Sequence, residues 1–108
     1  MAYYLLQVTY TPEAWTALIR SPQNRVEVVR PVAERLGGTL ENAWFSLGEY
    51  DVVALLKMPD NVNAAAFSMA ASASGGMKAI KTTPLLTMEE GMEAMKLAGG
   101  AGYRPPLG

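Results

Sequence analysis

The 108-residue sequence contains neither cysteine nor histidine. Without cysteine there is no disulfide, no thiolate nucleophile and no cysteine-ligated metal. Without histidine as well, zinc, copper and haem sites lose their usual ligands, and a Ser-His-Asp triad cannot form within one chain. The sequence therefore predicts no bound metal and no cofactor. It also disfavours acid–base catalysis, since histidine is the residue that most often performs it near neutral pH.

Charge is scarce too, because charged residues make up 18% of the chain, against about a quarter in typical domains. Nine basic and ten acidic residues give a net charge of −1. With no basic excess, nucleic acid is not an expected partner. No run reaches the roughly 18 apolar residues that a membrane span needs, and the first residues read as a strand rather than a signal peptide. We expect a cytoplasmic protein that does not enter a membrane.

The remaining patterns predict one domain with the order β-α-β-β-α-β-α. Strands rich in β-branched and aromatic residues are predicted at 3–10, 39–47, 51–58 and 77–86. Helices are predicted from Thr11-Pro12 to a break at Ser21-Pro22, at 23–36, at 61–74, and from the capping box Thr87–Glu90 to about Leu97. The third helix is expected to turn Val62, Ala65 or Ala66, Met69 and Ala73 to the core.

This order is that of a split βαβ, or ferredoxin-like, α+β fold. We expect a four-stranded antiparallel sheet with helices on one face, plus a C-terminal helix. Residues 1–98 form the predicted domain. Residues 99–108 are rich in glycine and proline and are predicted to be a tail that is either mobile or an arm on a neighbouring subunit.

Alternation along the strands divides the sheet into a covered and an open face. The covered face is predicted to carry Tyr4, Leu6, Val8, Phe45, Leu47, Val52, Ala54, Leu56 and Ile80. The open face is predicted to carry Leu5, Gln7, Thr9, Trp44, Ser46, Val53, Leu55, Ala79, Lys81 and Thr83. The open face is too apolar to lie in water and too polar for an ordinary core. It suits a ligand pocket or a sheet-to-sheet dimer, so we expect a homo-oligomer.

Several segments, in their order and spacing, resemble the GYD domain family over residues 3–95. They are "SPQNR", "LGGTLENAWFSLGEYDVVALLKMPD", an Ala-rich helix and "GMKAIKTTPLLTMEE", and Gly48-Glu49-Tyr50-Asp51 is similar to the family's namesake motif. The resemblance implies a fold of the dimeric α+β barrel type and self-association. Proteins of that type include small enzymes that act on oxidisable organic molecules and the effector-sensing domains of regulators. The resemblance implies no particular reaction.

Tyr50 and Asp51 are the candidate catalytic residues, because a carboxylate beside a phenol can exchange protons with an acidic C–H or O–H group. The alternative is structural and is favoured by how common polar turn residues are. In that interpretation Gly48 supplies a positive φ, Asp51 accepts backbone N–H groups, and Tyr50 packs on a strand.

Five residues of the open face are the candidate ligand-binding residues: Gln7, Thr9, Trp44, Ser46 and Lys81. Lysine would hold an anionic group and tryptophan would stack on a planar one. A polar-patched dimer interface explains the same residues equally well. Arg25, after the helix break, either reaches a ligand from a pocket rim or lies on the helix surface.

Three hypotheses follow. The first is an oligomeric protein that binds a small organic molecule on the open sheet face. The second is a cofactor-independent isomerase or monooxygenase-like enzyme that uses Tyr50 and Asp51. The third is a structural subunit of a homo-oligomeric assembly.

Overall fold

A computed structural model of the chain describes residues 1–106. The strands are β1 (Ala2–Tyr10), β2 (Thr39–Phe45), β3 (Val52–Met58) and β4 (Met77–Leu85), and the helices are α1 (Pro12–Arg20), α2 (Arg25–Arg35), α3 (Asn61–Ala73) and α4 (Met88–Gly99). All strand pairs are antiparallel and the sheet order is β2-β3-β1-β4. The predicted α+β class and ferredoxin-like topology are confirmed. Of the predicted tail, residues 107 and 108 lie outside the described residues.

Side-chain caps fix where the helices begin. The Ala14 amide donates to Thr11 Oγ1 over 3.1 Å, with Pro12 as the first helical residue. The chain leaves helical geometry between Arg20 and Arg25, as the Ser21-Pro22 pair predicts. None of the helices within residues 1–106 has the length and apolarity needed to span a membrane.

The C-terminal end of α2 depends on two glycines with different roles. Gly37 has a φ of 83°, which is the left-handed conformation that ends many helices. Gly38 is buried, and a Cβ there would collide with the Lys57 carbonyl oxygen and the Met58 sulfur. The close approach of the chain to β3 at this point therefore requires glycine.

The core lies between one face of the sheet and helices α2 and α3. Its buried apolar residues are Tyr4, Leu6, Val8, Ala33, Leu40, Ala54, Leu56, Met58, Ala64 and Phe67. Most of the predicted covered face is therefore buried as expected. The prediction of burial is wrong for two residues, since Phe45 is 68% exposed and Leu47 is fully exposed. The edge strand β2 ends at Phe45, and Leu47 falls in the turn that follows.

The predicted core face of α3 is wrong. Val62 and Met69 are 75% and 70% exposed, whereas Ala64 and Phe67 are buried. In a helix made largely of alanine the apolar stripe is poorly defined. The single large aromatic residue, Phe67, lies on the buried face, and Ala64, one turn earlier, lies beside it in the core.

Helix α4 packs little against the rest of the chain. None of its residues is buried, and its three methionines, Met88, Met92 and Met95, are 86%, 57% and 73% exposed. The molecule is correspondingly elongated, with a radius of gyration of 17.4 Å where about 13 Å is typical of a compact chain near this length.

Candidate functional site

A cleft of about 780 Å³ opens between α2 and α3 on the covered side of the sheet. At one end the two helices are joined, because Asn63 Nδ2 donates to the Leu36 carbonyl oxygen over 2.8 Å. At the other end the first turn of α2 and the last turn of α3 both line the cleft. The central strands β1 and β3 form its floor through Leu6, Val8 and Ala54.

The cleft is lined mainly by apolar side chains. They include Val26, Val28, Val29, Val32, Leu40, Ala43, Phe45, Val52, Phe67, Ala70, Ala71, Met77 and Ile80. Its polar lining comes from Tyr10, Gln23, Asn24, Arg25 and Ser74. Among the described lining residues there is no carboxylate, lysine or histidine. A mainly apolar wall with a few polar groups is typical of sites that bind small organic molecules.

Asp51 links three elements of the fold next to Tyr10, a residue that lines the cleft. Its Oδ2 accepts the Tyr10 amide at 2.9 Å and the Trp15 indole Nε1 at 3.2 Å. The β1–β4 register shifts between Thr9 and Tyr10, so this amide falls at an irregularity of the ladder, where backbone donors need other acceptors. The Asp51 amide also donates to the Val8 carbonyl oxygen over 2.8 Å. The carboxylate thus links β1, α1 and the start of β3.

Three aromatic rings pack together beside Asp51, and two of them, Tyr10 and Phe45, line the cleft. Tyr10 and Trp15 meet edge to face with centroids 5.4 Å apart, and Trp15 lies 6.2 Å from Phe45. Burial raises the pKa of the Tyr10 hydroxyl, the positive charge of Arg25 opposes that rise, and the charge of Asp51 adds to it. Tyr10 therefore stays protonated at neutral pH and can donate a hydrogen bond.

Three of the five predicted ligand-binding residues lie in one row across the open face. Trp44 pairs with Val53, Val53 with Gln7, and Gln7 with Lys81, so these four form one row across the sheet. Side chains in such a row point to the same face. The structure thus brings Gln7, Trp44 and Lys81 together, on a face that a single chain leaves open.

The other predicted residues are placed around the turn after β2. Thr9 Oγ1 donates to the Glu49 carbonyl oxygen over 3.4 Å, and the Ser46 amide donates to the Asp51 carbonyl oxygen over 2.8 Å. Tyr50 is half-buried in the turn. Of the predicted catalytic and open-face residues, Trp44 alone is among the described residues that line the cleft, although its pairing with Val53 places its side chain on the opposite, open face.

Comparison with known families identifies the chain. The GYD domain model matches residues 4–95. The chain belongs to the GYD domain family. None of the curated proteins matches it.

Two solved structures are similar to this GYD domain protein. TTHA0845 from Thermus thermophilus is 16% identical, with a TM-score of 0.53, and the match covers 81% of this chain and 95% of that one. An uncharacterized NIPSNAP domain protein from Burkholderia xenovorans is 12% identical, with a TM-score of 0.45, and the match covers 97% and 99% of the two chains. The first of these supports the fold.

The namesake motif of this GYD protein builds a turn. Gly48 has a φ of 125°, a conformation that side chains with a Cβ rarely adopt. Three residues later Asp51 accepts its two N–H donors. Both roles are those of the structural interpretation of the motif. Within residues 1–106 no cluster of three or more potential acidic metal ligands is present.

The cleft itself was missed by reasoning from the sequence. Alternation separates the two faces of a sheet, but it does not reveal where two helices diverge over one of them. Arg25 was the one available signal, since a basic residue directly after a helix break can face an enclosed space. In the structure it lines the cleft at the first residue of α2.

Proposed function

We propose that this GYD domain protein binds a small, largely apolar organic molecule in the cleft between α2 and α3. The observation that carries the proposal is the cleft itself, whose 780 Å³ falls within the roughly 300–1,000 Å³ of small-molecule sites. Its apolar floor and walls would lose contact with water when a ligand enters, which favours binding.

Binding is favoured over catalysis because of where the acidic groups lie. No carboxylate is found among the described residues that line the cleft, and the Asp51 carboxylate lies outside that lining, where its Oδ2 accepts two N–H donors. A general base has to lie within hydrogen-bonding reach of the proton it removes. The cofactor-independent enzyme is therefore the weaker candidate.

The test is a titration with N-phenylnaphthylamine, a neutral probe that fluoresces strongly in apolar surroundings. We expect saturable binding by the native protein. Ala71 lines the cleft, so Ala71→Phe fills part of it and should weaken binding by at least about tenfold, a loss of about 1.4 kcal/mol. The matched control is Ala73→Phe, an exposed position on the same helix, and it should bind the probe as the native protein does.

Circular dichroism of each variant verifies that the fold is retained. Unchanged binding by a folded Ala71→Phe variant would place the probe elsewhere and reject the cleft as the binding site. If neither this probe nor an anionic analogue of it binds saturably to the native protein, the proposed function as a whole is rejected.

Self-association through the open sheet face is a second proposal. On this face Leu5, Val53 and Leu55 are only partly buried by the chain itself. Continuous apolar strands such as β3 are typical of sheets covered on both faces. The covering surface we propose is the same face of a second copy, as in a dimeric α+β barrel. In this arrangement Gln7, Trp44 and Lys81 would lie inside the interface, where the predicted open-face pocket would also have to form.

A further inference from the structure

Arg25 is a cation at an otherwise uncharged wall of the cleft. Its guanidinium Nη1 donates to the neutral Gln23 Oε1 over 3.1 Å. The ion pair found within residues 1–106 joins other residues, Arg30 and Glu27, at 3.4 Å. A positive charge on the first residue of a helix is also opposed by the helix dipole. The stability of α2 therefore does not account for an arginine at this position.

Tyr10 places a second donor on the same side of the cleft. It lines the cleft together with Arg25, whose positive charge acts to lower the pKa of Tyr10 against the larger effect of burial. The phenol remains protonated at neutral pH, so its O–H is available to an acceptor. An arginine fork beside a hydroxyl donor matches the oxygens of an anionic group.

We propose that the ligand of the cleft is an organic acid, bound with its ionised group at Arg25 and Tyr10 and its apolar body over Val29, Phe67 and Ile80. This inference rests on the proposed function, because it requires the cleft to be a binding site. Beyond binding itself, the inference specifies the charge of the ligand and its orientation in the cleft. Arg25 would repel a cationic ligand. A neutral ligand would leave the guanidinium of Arg25 without an ionic partner.

The test compares two probes with nearly the same body. Anilinonaphthalene sulfonate differs from N-phenylnaphthylamine by one sulfonate group, which stands in for the acid. We expect the native protein to bind the sulfonate at least about tenfold more tightly than the neutral probe. Arg25→Gln should abolish this preference, so that the variant binds the two probes about equally tightly. Tyr10→Phe should reduce the ratio of the two affinities within the same variant.

Two controls restrict the result to the cleft. Arg30→Gln removes the same charge from the same helix at a position that is not among the described lining residues, and it should keep the preference. Ala71→Phe should weaken the binding of both probes, because both occupy the space it fills. A sulfonate signal that persists in Ala71→Phe would come from another surface and would count against the inference.

The outcomes separate this inference from the proposed function. If the neutral probe binds but the sulfonate binds no more tightly, or if Arg25→Gln keeps the preference, the acid-binding site is rejected and the apolar cleft stands. If neither probe binds, the proposed function fails and the inference fails with it. If the sulfonate alone binds and depends on Arg25, the acidic group is required and the inference is supported.

Discussion

At the scale of single residues, Asp51 shows how a polar motif can be structural. The irregularity at Thr9 and Tyr10 frees an amide from the ladder, and α1 brings an indole N–H to the same place. One carboxylate oxygen accepts both donors. Removing it would leave two partly buried donors without a partner, and each such loss costs about 1–3 kcal/mol.

We therefore expect Asp51→Ala to lower the free energy of unfolding by at least about 2 kcal/mol. Asp51→Asn should be milder, since the amide oxygen still accepts hydrogen bonds. Urea denaturation measures both, with Glu49→Ala as the control because the side chain of Glu49 is exposed. Native stability in a folded Asp51→Ala variant would contradict the structural role.

The burial of Tyr10 predicts that the free energy of unfolding depends on pH in the alkaline range. Its pKa is raised above the ordinary value of 10.0, chiefly by burial. The unfolded chain therefore loses this proton at a lower pH than the folded chain does. The contribution of Tyr10 to stability is fully present below pH 10.0 and is lost as pH rises through the folded pKa.

We expect the unfolding free energy to fall more steeply above pH 10 in the native protein than in Tyr10→Phe. Urea denaturation at a series of pH values compares the two, and Tyr103→Phe, in the exposed tail, is the control. Identical slopes in all three proteins would show that Tyr10 is not buried as described.

At the scale of elements, the sequence predicts where helices and strands form better than it predicts which of their faces are buried. All four strands and all four helices lie where the patterns place them, within a few residues, because caps and alternating residues are local signals. The predicted buried face of α3 was wrong because alanine occurs on all sides of this helix and does not mark the side that packs on the core. The exposure of Phe45 was missed because a sequence does not show how far a helix extends over an edge strand.

The capping box at the start of α4 can be tested by changing the pH. Hydrogen bonds from Thr87, first from its backbone, lower the pKa of Glu90 below its ordinary value of 4.5. The stabilisation of the start of α4 by ionised Glu90 is therefore present above pH 4.5 and is lost as pH falls through the pKa of Glu90 in the folded protein.

We expect the Thr87 amide, which donates to Glu90 Oε1 over 2.9 Å, to lose its protection from exchange as Glu90 is protonated. Proton NMR follows this amide through an acid titration. Glu90→Gln should remove the pH dependence, whereas Glu93→Gln, an exposed residue of the same helix, should leave it. A titration that is the same in the native protein and Glu90→Gln would mean that the capping box does not form.

At the scale of the whole molecule, the site was harder to predict than the fold. A row such as Trp44-Val53-Gln7-Lys81 follows from strand order and alternation, so its co-location was predictable. The cleft depends instead on two helices that are joined at one end and separate at the other. That geometry follows from long-range packing, and short motifs along the chain do not encode it.

Two apolar surfaces of this molecule have no partner within the described chain: the open sheet face and the methionine side of α4. The row Trp44-Val53-Gln7-Lys81 crosses all four strands of the sheet face, and Val53 lies on the inner strand β3. We expect the native protein to sediment as a dimer and Val53→Lys to shift it to monomer, because two buried lysines would face an apolar surface. Val62→Lys is the matched control, since Val62 is 75% exposed on α3.

Met92→Lys separates the contribution of α4 from that of the sheet. If the dimer depends on the sheet face alone, Met92→Lys should sediment as the native protein does, whereas an arm exchanged between subunits would make it dissociate. Analytical ultracentrifugation over a range of concentrations distinguishes these results, and circular dichroism verifies that each variant is folded. A native protein that stays monomeric throughout would reject the sheet-to-sheet dimer, and the row of Gln7, Trp44 and Lys81 would then face solvent.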